Sequence, residues 1–148
     1  MWAYIPQEEW NKVASGENQN TKALGGYKDL IAWQKGMDLV VAVYRVSARF
    51  PSEERFGLTS QVRRAAVSIP SNIAEGYSRP GKADYQRFLN IARGSANETE
   101  TQLIAVSRLK MAGVDDLAPV IELTNEVQRI LKGLVDSVGR SNKGNDQY

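Results

Sequence analysis

Apolar side chains recur every three or four positions through most of this chain, which is the spacing of one buried face on an α-helix. Four such stretches are separated by short polar links that contain glycine or proline. No stretch shows the strict alternation of apolar and polar residues that is typical of a half-buried strand. The pattern therefore predicts an all-α protein folded as an up-down-up-down four-helix bundle.

Capping and breaking residues predict where these helices begin and end. The four predicted helices span residues 29–50, 58–76, 82–111 and 115–139. Pro70 removes one backbone hydrogen bond from the second helix and predicts a kink there. Gly113 is predicted to be the left-handed residue that follows the third helix. Asp115 is predicted to cap the fourth helix, with Pro119 in its first turn.

The predicted core faces follow from the same spacing. On the first helix the predicted stripe comprises Leu30, Trp33, Met37, Val40 and Tyr44. Leu39, Val41 and Val43 broaden it, so this helix is expected to be covered on more than one side. The middle of the third helix is built from small residues, namely Ala92, Gly94, Ser95, Ala96 and Thr99. Small side chains allow a neighbouring backbone to approach, so we expect a tight helix crossing at this point.

The two ends of the chain differ from the bundle, which is predicted to occupy residues 27–140. Residues 1–26 form an extension in which Pro6 can open a short helix over residues 7–13, followed by a linker ending at Gly25–Gly26. Its two tryptophans favour docking onto the bundle or a partner, although a poorly ordered tail fits equally well. Residues 141–148 are predicted to be a disordered tail.

Positive charge is concentrated in the middle of the chain. Residues 55–97 contain seven basic and two acidic residues, a net charge of +5, whereas the whole chain carries +2. The candidate phosphate-binding residues are Arg63, Arg64, Arg79, Lys82, Arg87 and Arg93. Such side chains bind RNA or DNA phosphates largely without regard to sequence. Salt bridges between helices or subunits, or a solvated face, are the alternative interpretations.

The composition restricts any enzymatic chemistry. The chain has no histidine and no cysteine, which excludes histidine-dependent nucleophile systems, thiolate metal sites and histidine-ligated zinc. Glu98 and Glu100 are two residues apart and therefore diverge on a helix, which does not suit a paired acid and base. Glu75 is expected to pair with an arginine. We predict no enzymatic activity, no metal and no cofactor.

The location in the cell is predicted from what the chain lacks. It has no apolar run near the roughly 18 to 20 residues that a membrane-spanning helix needs, and no secretory signal pattern. We therefore expect a cytoplasmic protein without a membrane partner.

Several motifs resemble one bacterial family. They are YKDL at 27–30, AWQK at 32–35, GLTSQ at 57–61, SIPSNIAEG at 68–76 and ARGS at 92–95. In this order they resemble the four-helix-bundle proteins encoded within intervening sequences of bacterial large-subunit ribosomal RNA genes. The tryptophan-bearing extension, and a link reading KMAGV at 110–114 where the family has a Leu-Gly-Tyr-like turn, depart from the family pattern.

The resemblance implies a homopentameric ring with a central opening. It also implies similarity to the accessory variability determinant of diversity-generating retroelements, which partners a reverse transcriptase and binds nucleic acid through a basic surface. We therefore expect a non-enzymatic oligomeric accessory protein that binds RNA or DNA. The alternative is a protein-interaction scaffold, such as an accessory subunit of a retroelement reverse transcriptase.

Overall fold

The computed structural model describes Glu8 and residues 26–143, with side chains through Arg140. Residues 26–143 form four α-helices and no strand: α1 (Ile31–Ser47), α2 (Leu58–Tyr77), α3 (Lys82–Arg108) and α4 (Val114–Lys143). Short 3-10 turns at Tyr27–Asp29 and Ser52–Glu54 precede α1 and α2. The prediction of an all-α protein is confirmed. Glu8 is helical and exposed, whereas the rest of the predicted extension through residue 25, and residues 144–148, lie outside the described part.

The four helices pack as a bundle. Each helix contacts the next one along the chain, and α4 closes the bundle against α1. The largest fully buried side chains come from all four helices: Leu39, Ile69, Ile73, Leu89, Leu103, Leu117 and Leu131. None of the described helices is long and apolar enough to cross a membrane.

The buried face of α1 overlaps the predicted one only in part. The buried residues are Ala32, Gly36, Leu39, Val43, Val46 and Ser47. Leu39 and Val43 are thus buried as predicted, and Leu30, Trp33 and Val40 pack partly buried against the core. Val41 and Tyr44 are 42% and 38% exposed, and the prediction missed this because it followed large apolar side chains. Close helix contact instead selects small residues: a Cβ on Gly36 would lie 3.5 Å from side-chain atoms of Ile69 and Pro70 on α2.

Pro70 is accommodated within one continuous helix. In the following turn, the Ser71 hydroxyl donates to the Val67 carbonyl at 2.8 Å, and the Asn72 amide donates to the Ser68 carbonyl at 2.7 Å. Pro70 leaves the Ala66 carbonyl without its helical donor, and these side chains add hydrogen bonds at the next two carbonyls along the helix. The second helix therefore continues through the proline, as predicted.

The crossing of α2 and α3 is tight, as the small residues of α3 predicted. The hydroxyls of Ser68 and Ser95 lie 2.9 Å apart across this contact. Nearer the link, Gly76 is buried, and a Cβ there would lie 2.6 Å from the Cβ of Phe88. Only glycine permits the two backbones to approach this closely.

The third helix ends at Arg108, three residues before the predicted end. Lys110 is the left-handed residue, with φ of 56°. Its N–H donates to the Ser107 carbonyl, and the Met111 N–H donates to the Val106 carbonyl, both at 3.1 Å. This pair of bonds is the Schellman motif that closes many helices. The prediction of Gly113 as the left-handed cap was therefore wrong.

The fourth helix begins and ends outside its predicted bounds. It starts at Val114, so Asp115 lies in the first turn rather than at the cap, and Pro119 lies in the second turn. It also continues past Gly139 to Lys143. A Cβ on Gly139 would lie 2.8 Å from Nε2 of Gln86 on α3. Packing of α4 against Gln86 on α3 therefore keeps the helix intact at Gly139, although glycine inside a helix costs about 1 kcal/mol.

Candidate nucleic-acid interface

Arg63 is held within the subunit by the C-terminal end of α1. Its Nε donates to the Ser47 hydroxyl at 2.7 Å, and its Nη2 lies 3.5 Å from the Tyr44 carbonyl oxygen. The guanidinium also lies 4.5 Å from the centre of the Tyr44 ring. A cation near a helix C-terminus is favoured by the helix dipole. Arg63 therefore joins α2 to α1, and this contact uses two of its five donors.

Arg64 projects away from this contact into solvent. The two adjacent arginines diverge because successive helix positions differ by about 100°. Among the described residues, Arg64 has no hydrogen-bond acceptor or carboxylate within contact distance. Its whole guanidinium is therefore available to a ligand or a second subunit.

Arg79 and Arg87 lie in an ion-pair cluster around the link between α2 and α3. Arg79 binds the Glu75 carboxylate at 2.7 Å, and Arg87 binds the Asp84 carboxylate at 2.8 Å. Both guanidiniums lie over the Phe88 ring, at 5.0 and 4.5 Å from its centre. Two carboxylates thus balance two guanidiniums. The expected pairing of Glu75 with an arginine is confirmed.

Lys82 and Tyr85 lie at the start of α3, beside this cluster. Lys82 is the first residue of the helix and is exposed. Burial raises the pKa of Tyr85 above its ordinary value of 10.0, and the adjacent Tyr77 raises it further. The two rings meet edge to face, with centres 5.9 Å apart. Tyr85 is therefore a neutral packing residue at physiological pH.

Arg93 lies away from the other predicted residues, in a cleft between α3 and α4. The α3–α4 cleft has a volume of about 300 Å³ and is lined by Arg93, Asn97, Asn125, Gln128, Arg129 and Lys132. Three of these side chains are cationic, three are amides, and none is a carboxylate.

Two acids border the α3–α4 cleft, and each already accepts a hydrogen bond from it. Gln128 donates to Glu100 at 2.6 Å, and Arg129 lies 3.4 Å from Glu122. Both partners in the Arg129–Glu122 pair are about two-thirds exposed or more, so that pair contributes little stability and is easily exchanged. Glu98 instead accepts from Gln102 at 3.2 Å. Glu98 and Glu100 thus diverge as predicted.

The sequence prediction found only Arg93 among the residues that line this cleft. Four of the others lie on α4 at positions 125, 128, 129 and 132, which is the i, i+3, i+4, i+7 spacing of one helix face. A count of charge along the sequence stops at residue 97 and cannot show that α4 packs beside α3. A search for polar stripes next to the apolar stripe would have found them.

The fold and the cleft together define a four-helix bundle with a cationic, amide-lined groove between its last two helices. The sequence profile of the 23S rRNA-intervening sequence protein family matches residues 28–133. The chain therefore belongs to this family, and the resemblance to it is confirmed.

A solved structure shows the same fold. A protein of unknown function from the S23 ribosomal protein family of Bacteroides thetaiotaomicron superposes with a TM-score of 0.65 at 24% identity. The match covers 71% of this chain and 98% of that one. A comparison with curated proteins gave no match.

Proposed function

We propose that this protein is a non-enzymatic, oligomeric accessory protein that binds RNA or DNA through phosphate contacts. The observation that supports this most strongly is the α3–α4 cleft, where Arg93, Arg129 and Lys132 gather without a carboxylate among the lining residues. The name of the family links its members to 23S ribosomal RNA intervening sequences. Both point to a polyanionic partner.

The predicted basic residues contribute unequally to this proposal. Arg64 and Arg93 keep most of their donors available. Arg79 and Arg87 would have to exchange Glu75 and Asp84 for phosphates. These ion pairs are between 38% and 60% exposed, so exchanging them is inexpensive. Arg63 is held by Ser47 and Tyr44, so only its remaining donors can meet a phosphate without a change in this contact.

Oligomerisation is part of the proposal because a ring repeats each basic patch. Several weak phosphate sites on one particle act at a high effective concentration, which raises the overall affinity without new contacts. A pentamer formed in the cytoplasm is the assembly that we propose.

Titration with salt tests the proposed function. A fluorescently labelled 20-nucleotide RNA and the DNA of the same sequence are titrated with protein at several salt concentrations. Three phosphate contacts in one subunit predict a plot of log affinity against log salt with a slope of about −2. No binding of either probe at low salt would contradict the proposal.

A pull-down distinguishes the alternative function, a protein-interaction scaffold, from nucleic-acid binding. Retention of one stoichiometric protein, unchanged by nuclease, would indicate a protein-interaction scaffold such as a subunit of a reverse transcriptase. Loss of the retained material after nuclease supports nucleic-acid binding instead.

A further inference from the structure

The α3–α4 cleft has two chemically different ends, because α3 and α4 run antiparallel in a fixed register. Asn97 and Gln128 face each other, with Gln128 Nε2 donating to Asn97 Oδ1 at 3.0 Å. Four residues back along α3 lies Arg93, and four residues forward along α4 lies Lys132. In antiparallel helices these two positions are level with each other, one turn away from the amides. The cleft therefore has a cationic end, at Arg93 and Lys132, and an amide end, at which Arg129 also lies and is paired with Glu122.

The register is supported by contacts one and two turns further along. Gln86 donates to the Val135 carbonyl at 3.3 Å, and the space beside Gly139 is filled by the Gln86 amide. Gln86 lies eleven residues before Asn97 on α3, and Gly139 lies eleven residues after Gln128 on α4. In antiparallel helices the two pairs therefore belong to the same register. The opposition of Arg93 and Lys132 thus follows from contacts on both sides of the cleft.

The cationic end has donors to spare. Lys132 has no acceptor among the described residues, and Arg93 has only a long contact of 3.5 Å to Asn90. A phosphate placed between them would gain two charge-assisted hydrogen-bond donors.

The amide end presents an unsatisfied pattern of donors and acceptors. Both Nε2 hydrogens of Gln128 are used, one on Asn97 and one on Glu100, which leaves its Oε1 as a free acceptor. The Nδ2 group of Asn97 and the whole amide of Asn125 have no partner among the described residues. Paired amide donors and acceptors are the groups with which proteins read the edges of nucleobases.

We propose that the α3–α4 cleft binds one nucleotide of a single-stranded polynucleotide. The phosphate lies between Arg93 and Lys132, and the base edge meets the amides of Asn97, Asn125 and Gln128. This inference rests on the proposed function and assigns it a site. The volume of about 300 Å³ is at the lower limit of ligand pockets, which suits one nucleotide rather than a duplex. A base can also present its hydrogen-bonding edge fully only when it is unpaired.

The first experiment removes the cationic end. Fluorescence anisotropy is measured for a labelled single-stranded RNA, the single-stranded DNA of the same sequence and the RNA duplex. Lys132→Gln and Arg93→Gln/Lys132→Gln are compared with the wild type. Arg55→Gln/Arg108→Gln is the matched control, because it removes two exposed charges that lie outside the cleft. Circular dichroism confirms that each variant folds.

The double variant in the cleft is expected to bind single strands at least about tenfold more weakly, and its salt slope should be shallower by about 1.4. The control should change affinity less than about threefold, since its charges act only at long range. Equal losses in the cleft and control variants would overturn the cleft as the site and leave the proposed function standing. Absence of binding by the wild type would overturn the proposed function itself.

The second experiment removes the amide end. Asn125 is half-buried at the surface of α4, and the Asn125→Ala substitution leaves the net charge of the protein unchanged. It is expected to weaken binding of the single-stranded probes and leave binding of the duplex unchanged. Equal weakening for single strands and duplex would contradict a nucleotide site, because a general phosphate surface does not distinguish unpaired bases. Comparison of the RNA and DNA probes shows which sugar the cleft prefers.

Discussion

Arg63 and Arg64 are neighbours in the sequence, but their guanidinium groups lie in different surroundings. The guanidinium of Arg63 lies on Tyr44 and bonds Ser47, whereas Arg64 faces solvent. Their charge is identical, so composition alone cannot separate a residue that joins two helices from one that is free to bind a ligand. The difference arises from the 100° between successive helix positions.

A matched pair of substitutions measures this difference. Arg63→Ala is expected to lower the free energy of unfolding by about 1–2 kcal/mol, because it removes a hydrogen bond to Ser47 and a cation–π contact with Tyr44. Arg64→Ala should change it by less than about 0.5 kcal/mol. Urea unfolding followed by circular dichroism gives both values. A similar loss in both variants would mean that Arg63 does not join α2 to α1.

At the scale of the helices, small residues determine where backbones approach one another. Gly76 brings the end of α2 against Phe88 on α3, and the hydroxyls of Ser68 and Ser95 meet further along the same crossing. The opposite case is Gly133 on α4, which is exposed and has no atom within 4 Å of the place where a Cβ would be. The two glycines therefore differ in the space that surrounds them.

Alanine substitution separates the two glycines. Gly76→Ala is expected to destabilise the fold by about 1–3 kcal/mol, because its Cβ would overlap Phe88 unless the helices move apart. Gly133→Ala should stabilise it by up to about 1 kcal/mol through helix propensity alone. Thermal and urea unfolding test both. A stabilised Gly76→Ala variant would show that α2 and α3 separate without cost.

Sequence periodicity predicted the number of helices and their order. On α1 it found Leu39 and Val43 but missed Ala32 and Gly36, which are buried and carry little hydrophobic signal. It also failed at the end of α3, since Lys110 adopts a conformation usually left to glycine. The cleft was missed for a related reason: its residues come from two helices that only packing brings together.

The whole molecule exposes several large apolar side chains at separate places. On α3, Ile91 is 40% exposed and Ile104 is 38% exposed. They are 13 positions apart and therefore about 140° apart around the helix, so they do not form one strip. Ile104 is 11 positions from Arg93, which places it on the side of α3 that carries the α3–α4 cleft. Single exposed apolar residues are normal on a protein surface, so the proposed assembly has to be measured.

Light scattering measures the assembly directly. A homopentamer is expected to have about five times the 16.4 kDa mass of one chain. A mass of one subunit at working concentrations would contradict the oligomer and remove the contribution of multivalency to nucleic-acid affinity.

The Schellman turn at Lys110 leaves only residues 109–113 to carry the chain from α3 to α4. A shorter connection would have to draw on the first turn of α4, which delivers Leu117 to the core. Otherwise α4 would rotate by about 100° and advance about 1.5 Å for each residue removed. The second change would carry Lys132 out of step with Arg93, and the first would cost the burial of Leu117. The length of the link between α3 and α4 thus sets the register in which Arg93 and Lys132 lie opposite each other.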